Sequence, residues 1–118
     1  MINRNFICIV GGAGHVGVPL GLALSSKGYN VVLIDKDKKN VKKINQSKMP
    51  FIEEGCDKLL KKMIFKKKIF ATNKLNEVKK CKYIIICIGT PINNKFKPNL
   101  KKFINFFYVL KKYLNKNH

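Results

Sequence analysis

Residues 6–17 read Phe6-Ile7-Cys8-Ile9-Val10-Gly11-Gly12-Ala13-Gly14-His15-Val16-Gly17. The apolar run Phe6 to Val10 has the character of a buried strand. It leads directly into Gly-x-Gly-x-x-Gly, made by Gly12, Gly14 and Gly17. A second apolar run, Val31-Val32-Leu33-Ile34, ends on Asp35, eighteen residues after Gly17. Strand, glycine turn, helical pattern, strand and terminal acid together form the fingerprint of a dinucleotide-binding unit. The alternative, a glycine-rich turn that binds nothing, leaves the placement of Asp35 unexplained.

Each position has an expected task. Gly12 turns the chain sharply out of the first strand. Gly14 lacks a Cβ, so the backbone can come close to a pyrophosphate. Gly17 lets the following helix pack tightly on the sheet. The turn residues Gly12, Ala13, Gly14, His15, Val16 and Gly17 would bring backbone N–H groups and the positive end of the helix dipole to the phosphates. Asp35 would accept hydrogen bonds from the adenosine ribose. A carboxylate there repels a 2′-phosphate, which favours NAD over NADP, although Lys36 and Lys38 pull the other way.

Residues 6–24 carry no charge and follow Arg4, which superficially suggests a signal peptide or membrane span. Gly11, Gly12, Gly14, Gly17, Gly21 and Pro19 argue against both. A cytoplasmic protein without a membrane segment is expected. The chain has 118 residues, enough for a single domain with a modest core.

Its net charge of +19 would ordinarily point to nucleic acid. Here Lys, Asn, Ile and Phe make up half of the chain, and all have A/T-rich codons. The lysines are also dispersed rather than gathered in one arm, so no nucleic-acid partner is expected. Lys66-Lys67-Lys68 reads as a helix end, where cations suit the dipole. The positive field would still draw in an anionic dinucleotide. Cys8, Cys56, Cys81 and Cys87 form no Cys-x-x-Cys pair and have no His cluster beside them, so no metal site is expected. Cys8 and Cys87 read as small core residues.

Pattern and punctuation predict strands at 5–10, 30–35, 69–71 and 83–88. Helices are predicted at 14–27, 38–46, 56–66, 74–80 and 99–114, with Gly28 closing the first. Strand 83–88 is apolar throughout, as for a strand covered on both faces. The last helix is predicted to turn Leu100, Phe103, Ile104, Phe107, Leu110 and Leu114 inward, leaving Phe106, Tyr108 and Val109 surplus. Alternating strands and helices predict an α/β, Rossmann-like, doubly wound parallel sheet of order 3-2-1-4 with right-handed crossovers. The cofactor crevice then opens between strands 1 and 4. Thr90 and Pro91, after Gly89, stand beside it as further cofactor contacts, unless Gly89-Thr90-Pro91 is merely a strand-ending turn.

Gly12-Ala13-Gly14-His15-Val16-Gly17-Val18-Pro19-Leu20, Asp35-Lys36-Asp37, Lys43-Ile44-Asn45, Met49-Pro50-Phe51-Ile52-Glu53-Glu54-Gly55 and Gly89-Thr90-Pro91 share order and spacing with a known family. The chain resembles the UDP-glucose/GDP-mannose dehydrogenase family along essentially its whole length. Pro50-x-x-Glu53-x-Gly55 is the most family-specific element. The Gly-Gly-Ala-Gly-His opening looks most like the branch containing UDP-N-acetyl-mannosamine dehydrogenases.

The resemblance implies a two-step oxidation of a nucleotide-sugar primary alcohol to a carboxylate with two NAD. It also implies a UDP-sugar substrate and a homo-oligomer in the full-length enzyme. The family's catalytic cysteine and lysine lie downstream of the matched region, so no catalytic residue is assigned here. The family commonly has a basic residue where this chain has Asn40. A complete fold of this kind has strands beyond the fourth. Residues 1–118 are therefore expected to be one partial NAD-binding domain: a fragment, a shortened reading frame, or a chain needing a partner. The fourth strand would then present an unpaired apolar edge. Two other functions stay open, a stand-alone dinucleotide sensor and another hydride-transfer dehydrogenase of the same fold.

Overall fold

The computed structural model describes residues 3–89, 95, 97 and 99–118. Among them the elements run β1 (Asn3–Val10), α1 (Gly17–Ser26), β2 (Asn30–Ile34), α2 (Lys38–Asn45) and α3 (Cys56–Phe65). They continue with β3 (Ile69–Thr72), a 3₁₀ helix (Leu75–Lys80), β4 (Cys81–Ile86) and α4 (Leu100–Lys111). The strands pair in parallel in the order β3-β2-β1-β4. This is the doubly wound α/β arrangement that the alternation of elements predicts.

Successive strand residues face opposite sides, so the apolar runs fill two cores. Ile9, Val31, Leu33, Ile69 and Ala71 meet Val18 and Leu22 of α1, Ile44 of α2, and Leu60 and Met63 of α3. On the other face Cys8, Val10, Val32 and Ile34 meet Val78 of the 3₁₀ helix and Leu110 of α4. Burial of β1 and β2 on both faces is why neither strand alternates polar residues.

Helix ends follow the punctuation in the sequence. Gly28 takes φ +102 after α1, and its N–H donates to Ser25 while that of Tyr29 donates to Leu24. The Lys66–Lys68 run closes α3, where Lys67 takes φ 57 and donates to Ile64. Asn45 at the end of α2 has a further task. Its side-chain Nδ2 donates to the Ala71 carbonyl at 2.8 Å, and its Oδ1 accepts from the Ala71 N–H at 2.8 Å. The amide thus substitutes for a neighbouring strand on the outer edge of β3. Asn45→Ala is expected to destabilise the fold by about 1–2 kcal/mol, because two partly buried backbone groups lose their partner. Urea unfolding measures it, and Asn45→Asp should recover only the accepting half.

Several boundaries differ from expectation. α1 begins at Gly17 rather than at residue 14, which places Pro19 in the first turn, where a missing N–H is tolerated. Residues 74–80 wind as a 3₁₀ rather than an α-helix. β4 spans Cys81–Ile86, two residues earlier than expected.

β4 is covered on both faces only in part, with Ile84 against one core and Ile85 against the other. Cys81 is buried, but Tyr83 is 54% exposed, and no described strand lies beyond β4. The unpaired apolar edge is therefore present among the described residues. α4 is rotated relative to the expected stripe. Phe106, Leu110 and Tyr113 face the core, whereas Leu100, Ile104, Phe107 and Leu114 are exposed. Lys101, Lys102 and Asn105 mark one polar side of α4, but the apolar arc left over is too wide for periodicity alone to fix which part of it meets the sheet.

Candidate cofactor site

The turn after β1 is held from two sides. The Gly11 and Gly12 N–H groups both donate to the Ile34 carbonyl, at 2.8 and 3.0 Å, tying the turn to the end of β2. The residue of the turn with a left-handed backbone is Gly11, with φ +80, one position before the Gly12 expected to turn the chain. A Cβ on Gly11 would lie 2.6 Å from the Cys87 carbonyl oxygen. Gly12 is needed for space instead, since its Cβ would sit 2.9 Å from the Leu33 Cα. At Gly17 a Cβ would lie 2.6 Å from the Gly12 Cα, so this glycine lets α1 begin against the turn. Gly14 differs from these: its Cβ would meet nothing nearer than the Gly11 oxygen at 3.9 Å. That face of the loop is open to a ligand.

Gly14, His15, Val16 and Gly17 donate no hydrogen bond to any described backbone carbonyl. Donors at the mouth of a helix, with an open glycine face beside them, can hold an anion. His15 and Val16 are exposed, whereas Ala13 is buried.

Asp35 leaves β2 beside this turn. Its Oδ2 accepts from the Ala13 N–H and its Oδ1 from the Asp37 N–H, each at 3.0 Å. The carboxylate thus joins the glycine turn to the start of α2. Two ionised oxygens offer about four acceptor positions. The two backbone donors therefore leave room for a vicinal diol. Asp37 caps α2, its Oδ1 accepting from the Asn40 N–H at 3.1 Å. Asn40 reaches back to the Ala13 carbonyl at 3.5 Å, so it braces the turn where a longer basic residue would point outward.

A cleft of about 580 Å³ opens at the carboxyl ends of the strands. Gly11, Gly14, Asp35 and Lys36 form one side, and Phe103 and Phe106 of α4 the other, with Lys102 at the rim. Phe106 was expected to be surplus to the inward stripe of the last helix. Here it packs on the core and also lines the cleft. Gly11 was missed as well, although the doubled glycine offered a signal that one of the two serves the turn itself. Thr90 and Pro91 lie outside the described residues.

The thiols do not add a nucleophile. Hydrogen bonding to Cys81 and burial push the Cys8 thiol far up. Burial, with Glu53 and Asp57 nearby, also raises Cys56. Cys81 is shifted the other way, downward, chiefly by its hydrogen bond with Cys8, but it is fully buried, and a reactive cysteine must be accessible as well as low in pKa. Among the described residues no three His, Cys, Asp or Glu side chains gather as a metal would require. No described helix is long and apolar enough to cross a membrane.

A parallel sheet carrying a glycine turn, an anion-accepting helix mouth and an acid at the end of β2 defines a dinucleotide-binding domain. Residues 5–118 match the model of the UDP-glucose/GDP-mannose dehydrogenase family, NAD binding domain. The chain belongs to the UDP-glucose/GDP-mannose dehydrogenase family, and the cofactor of its fold is NAD. It is 33% identical over 82 residues to a UDP-N-acetyl-D-mannosamine dehydrogenase of Pyrococcus horikoshii, covering 70% of this chain and 20% of that protein. It is 28% identical over 107 residues to a UDP-glucose 6-dehydrogenase of Rickettsia felis, covering 90% of this chain and 24% of that protein. A ternary complex of GDP-mannose dehydrogenase from Pseudomonas aeruginosa superposes with a TM-score of 0.84 at 25% identity, over 93% of this chain and 25% of that one. The chain thus spans a quarter or less of the length of these relatives.

Proposed function

We propose that the chain is the cofactor-binding part of a nucleotide-sugar 6-dehydrogenase. The enzyme would oxidise the C6 alcohol of a nucleotide-sugar to a carboxylate, with water supplying the second oxygen and two NAD accepting the two hydrides. The Asp35 carboxylate carries the cofactor half of this reading, since it is tied to the glycine turn and has acceptor capacity left for a ribose diol. In this assignment the N–H groups of the 14–17 turn take the pyrophosphate. Gly12, Ala13 and Gly17 shape that turn, and Phe103 and Phe106 wall the cleft. Thr90 and Pro91 are proposed as further cofactor contacts. Hydride chemistry belongs to the nicotinamide; the chain binds and orients it. The sugar-nucleotide assignment draws support from the relatives above and from the Pro50–Gly55 segment, the element of the sequence most specific to that family.

Calorimetric titration of the purified chain separates the cofactors. NADH should bind, and NADPH should bind at least about tenfold more weakly, because the 2′-phosphate would face the Asp35 carboxylate. Equal affinity for the two would overturn the Asp35 assignment. A second arm adds NAD with UDP- or GDP-sugars and follows absorbance at 340 nm. No NADH should form, and turnover by these residues alone would show that they contain a catalytic centre.

A further inference from the structure

The residues around the glycine turn include one ring contact that the cofactor assignment does not use. The His15 imidazole stacks on the Phe51 ring, with centroids 4.1 Å apart and planes 29° apart. The two partners are unlike. His15 is exposed and sits in the turn, before the first residue of α1. Phe51 lies in the connection between α2 and α3, half-buried and packed against the core shared by α1 and α3. Phe51 is therefore the anchored partner and His15 the held one. The carbonyls of Gly14 and Val16 accept from the Val18 and Leu20 N–H groups at 3.1 and 3.2 Å, but the amides of residues 14–17 donate to no described carbonyl, so the ring contact is the side-chain hold on the donor side of the turn.

We infer that the His15–Phe51 stack is the positioning device of the phosphate-binding turn, aiming the His15, Val16 and Gly17 amides at the dinucleotide pyrophosphate. The inference rests on the NAD reading of this site. It gives the Pro50–Gly55 segment a task in the cofactor half: it carries the wall on which the turn is braced. The imidazole acts as a flat surface and not as a proton donor, so phenylalanine can replace it.

NADH affinity of the full chain tests this with His15→Ala, Phe51→Leu, the double variant and His15→Phe. Each truncation should weaken NADH binding by about three- to tenfold, the range of a stacked ring pair. The double variant should be no weaker than the weaker single, because both remove one interaction. His15→Phe should stay within about twofold of wild type, on the same ring-pair reasoning. In the ligand-free chain, amide order parameters at residues 14–17 should fall in both truncations and hold in His15→Phe. Additive losses, unchanged order parameters, or His15→Phe as weak as His15→Ala would each overturn the inference. The last result would mean that a ring nitrogen contacts the ligand directly. A wild-type chain that bound no NADH while the order parameters still fell would remove the NAD reading, and the positioning role would fall with it.

Discussion

Asp35→Ala is expected to weaken NADH binding by about 10- to 100-fold. Hydrogen bonds to a charged group contribute roughly 1.5–3 kcal/mol, and 1.4 kcal/mol is a factor of ten. The side chain acts twice. Its oxygens would accept from the ribose diol, and they already accept from the Ala13 and Asp37 N–H groups at 3.0 Å. Removing the carboxylate therefore takes away a ligand contact and loosens the turn that presents the phosphate donors. Asp35→Asn keeps one acceptor oxygen without the charge and should fall between the two. It should also narrow the gap between NADH and NADPH, since the repulsion of a 2′-phosphate is lost. Calorimetry on all three proteins measures both effects. An Asp35→Ala chain binding NADH within twofold of wild type would sink the assignment.

Gly11→Ala is expected to destabilise the chain by about 2–5 kcal/mol. A left-handed backbone costs a residue with a Cβ roughly 1–2 kcal/mol. Overpacking adds about 1–3 kcal/mol, because the new methyl would lie 2.6 Å from the Cys87 carbonyl oxygen, which is backbone and cannot rotate away. Gly28→Ala is the matched control. Gly28 has φ +102 but no atom within 4 Å of the position a Cβ would take, so it should show the strain alone. Urea unfolding of the pair separates the two contributions. Equal losses would mean that the junction between β1 and β4 yields to the methyl. Domains of this size are stable by roughly 5–15 kcal/mol, so the difference is easily measured.

Much of the site was legible because its chemistry is local. Gly12, Gly14, Gly17 and Asp35 stand at spacings that a strand–turn–helix–strand unit enforces, and the structure brings all four together. The division of labour among the glycines was less legible. The motif assigns the turn to its first glycine, but a residue earlier, at Gly11, the chain takes a positive φ and passes too close to the Cys87 carbonyl for a Cβ. Asn40 reads in sequence as a missing basic contact. In the fold its short amide reaches the Ala13 carbonyl, which requires α2 to lie against the turn. The Asn45 pairing with Ala71 and the His15–Phe51 stack join residues far apart in the chain, and neither leaves a periodic trace.

Residue order alone was enough for the α/β class, the parallel order β3-β2-β1-β4, the helix stops at Gly28 and Lys66–Lys68, and the NAD fingerprint. These follow from backbone preferences and short spacings that act within one or two elements. The tertiary structure decided the rest: which side of α4 is buried, that Tyr83 of β4 is exposed, and that Phe103 and Phe106 line the cleft. The reason is physical. A helix with a wide apolar arc, or a strand apolar at nearly every position, carries little directional signal of its own. Its orientation is set by the neighbours that exclude water from it, and only the assembled sheet says where they are.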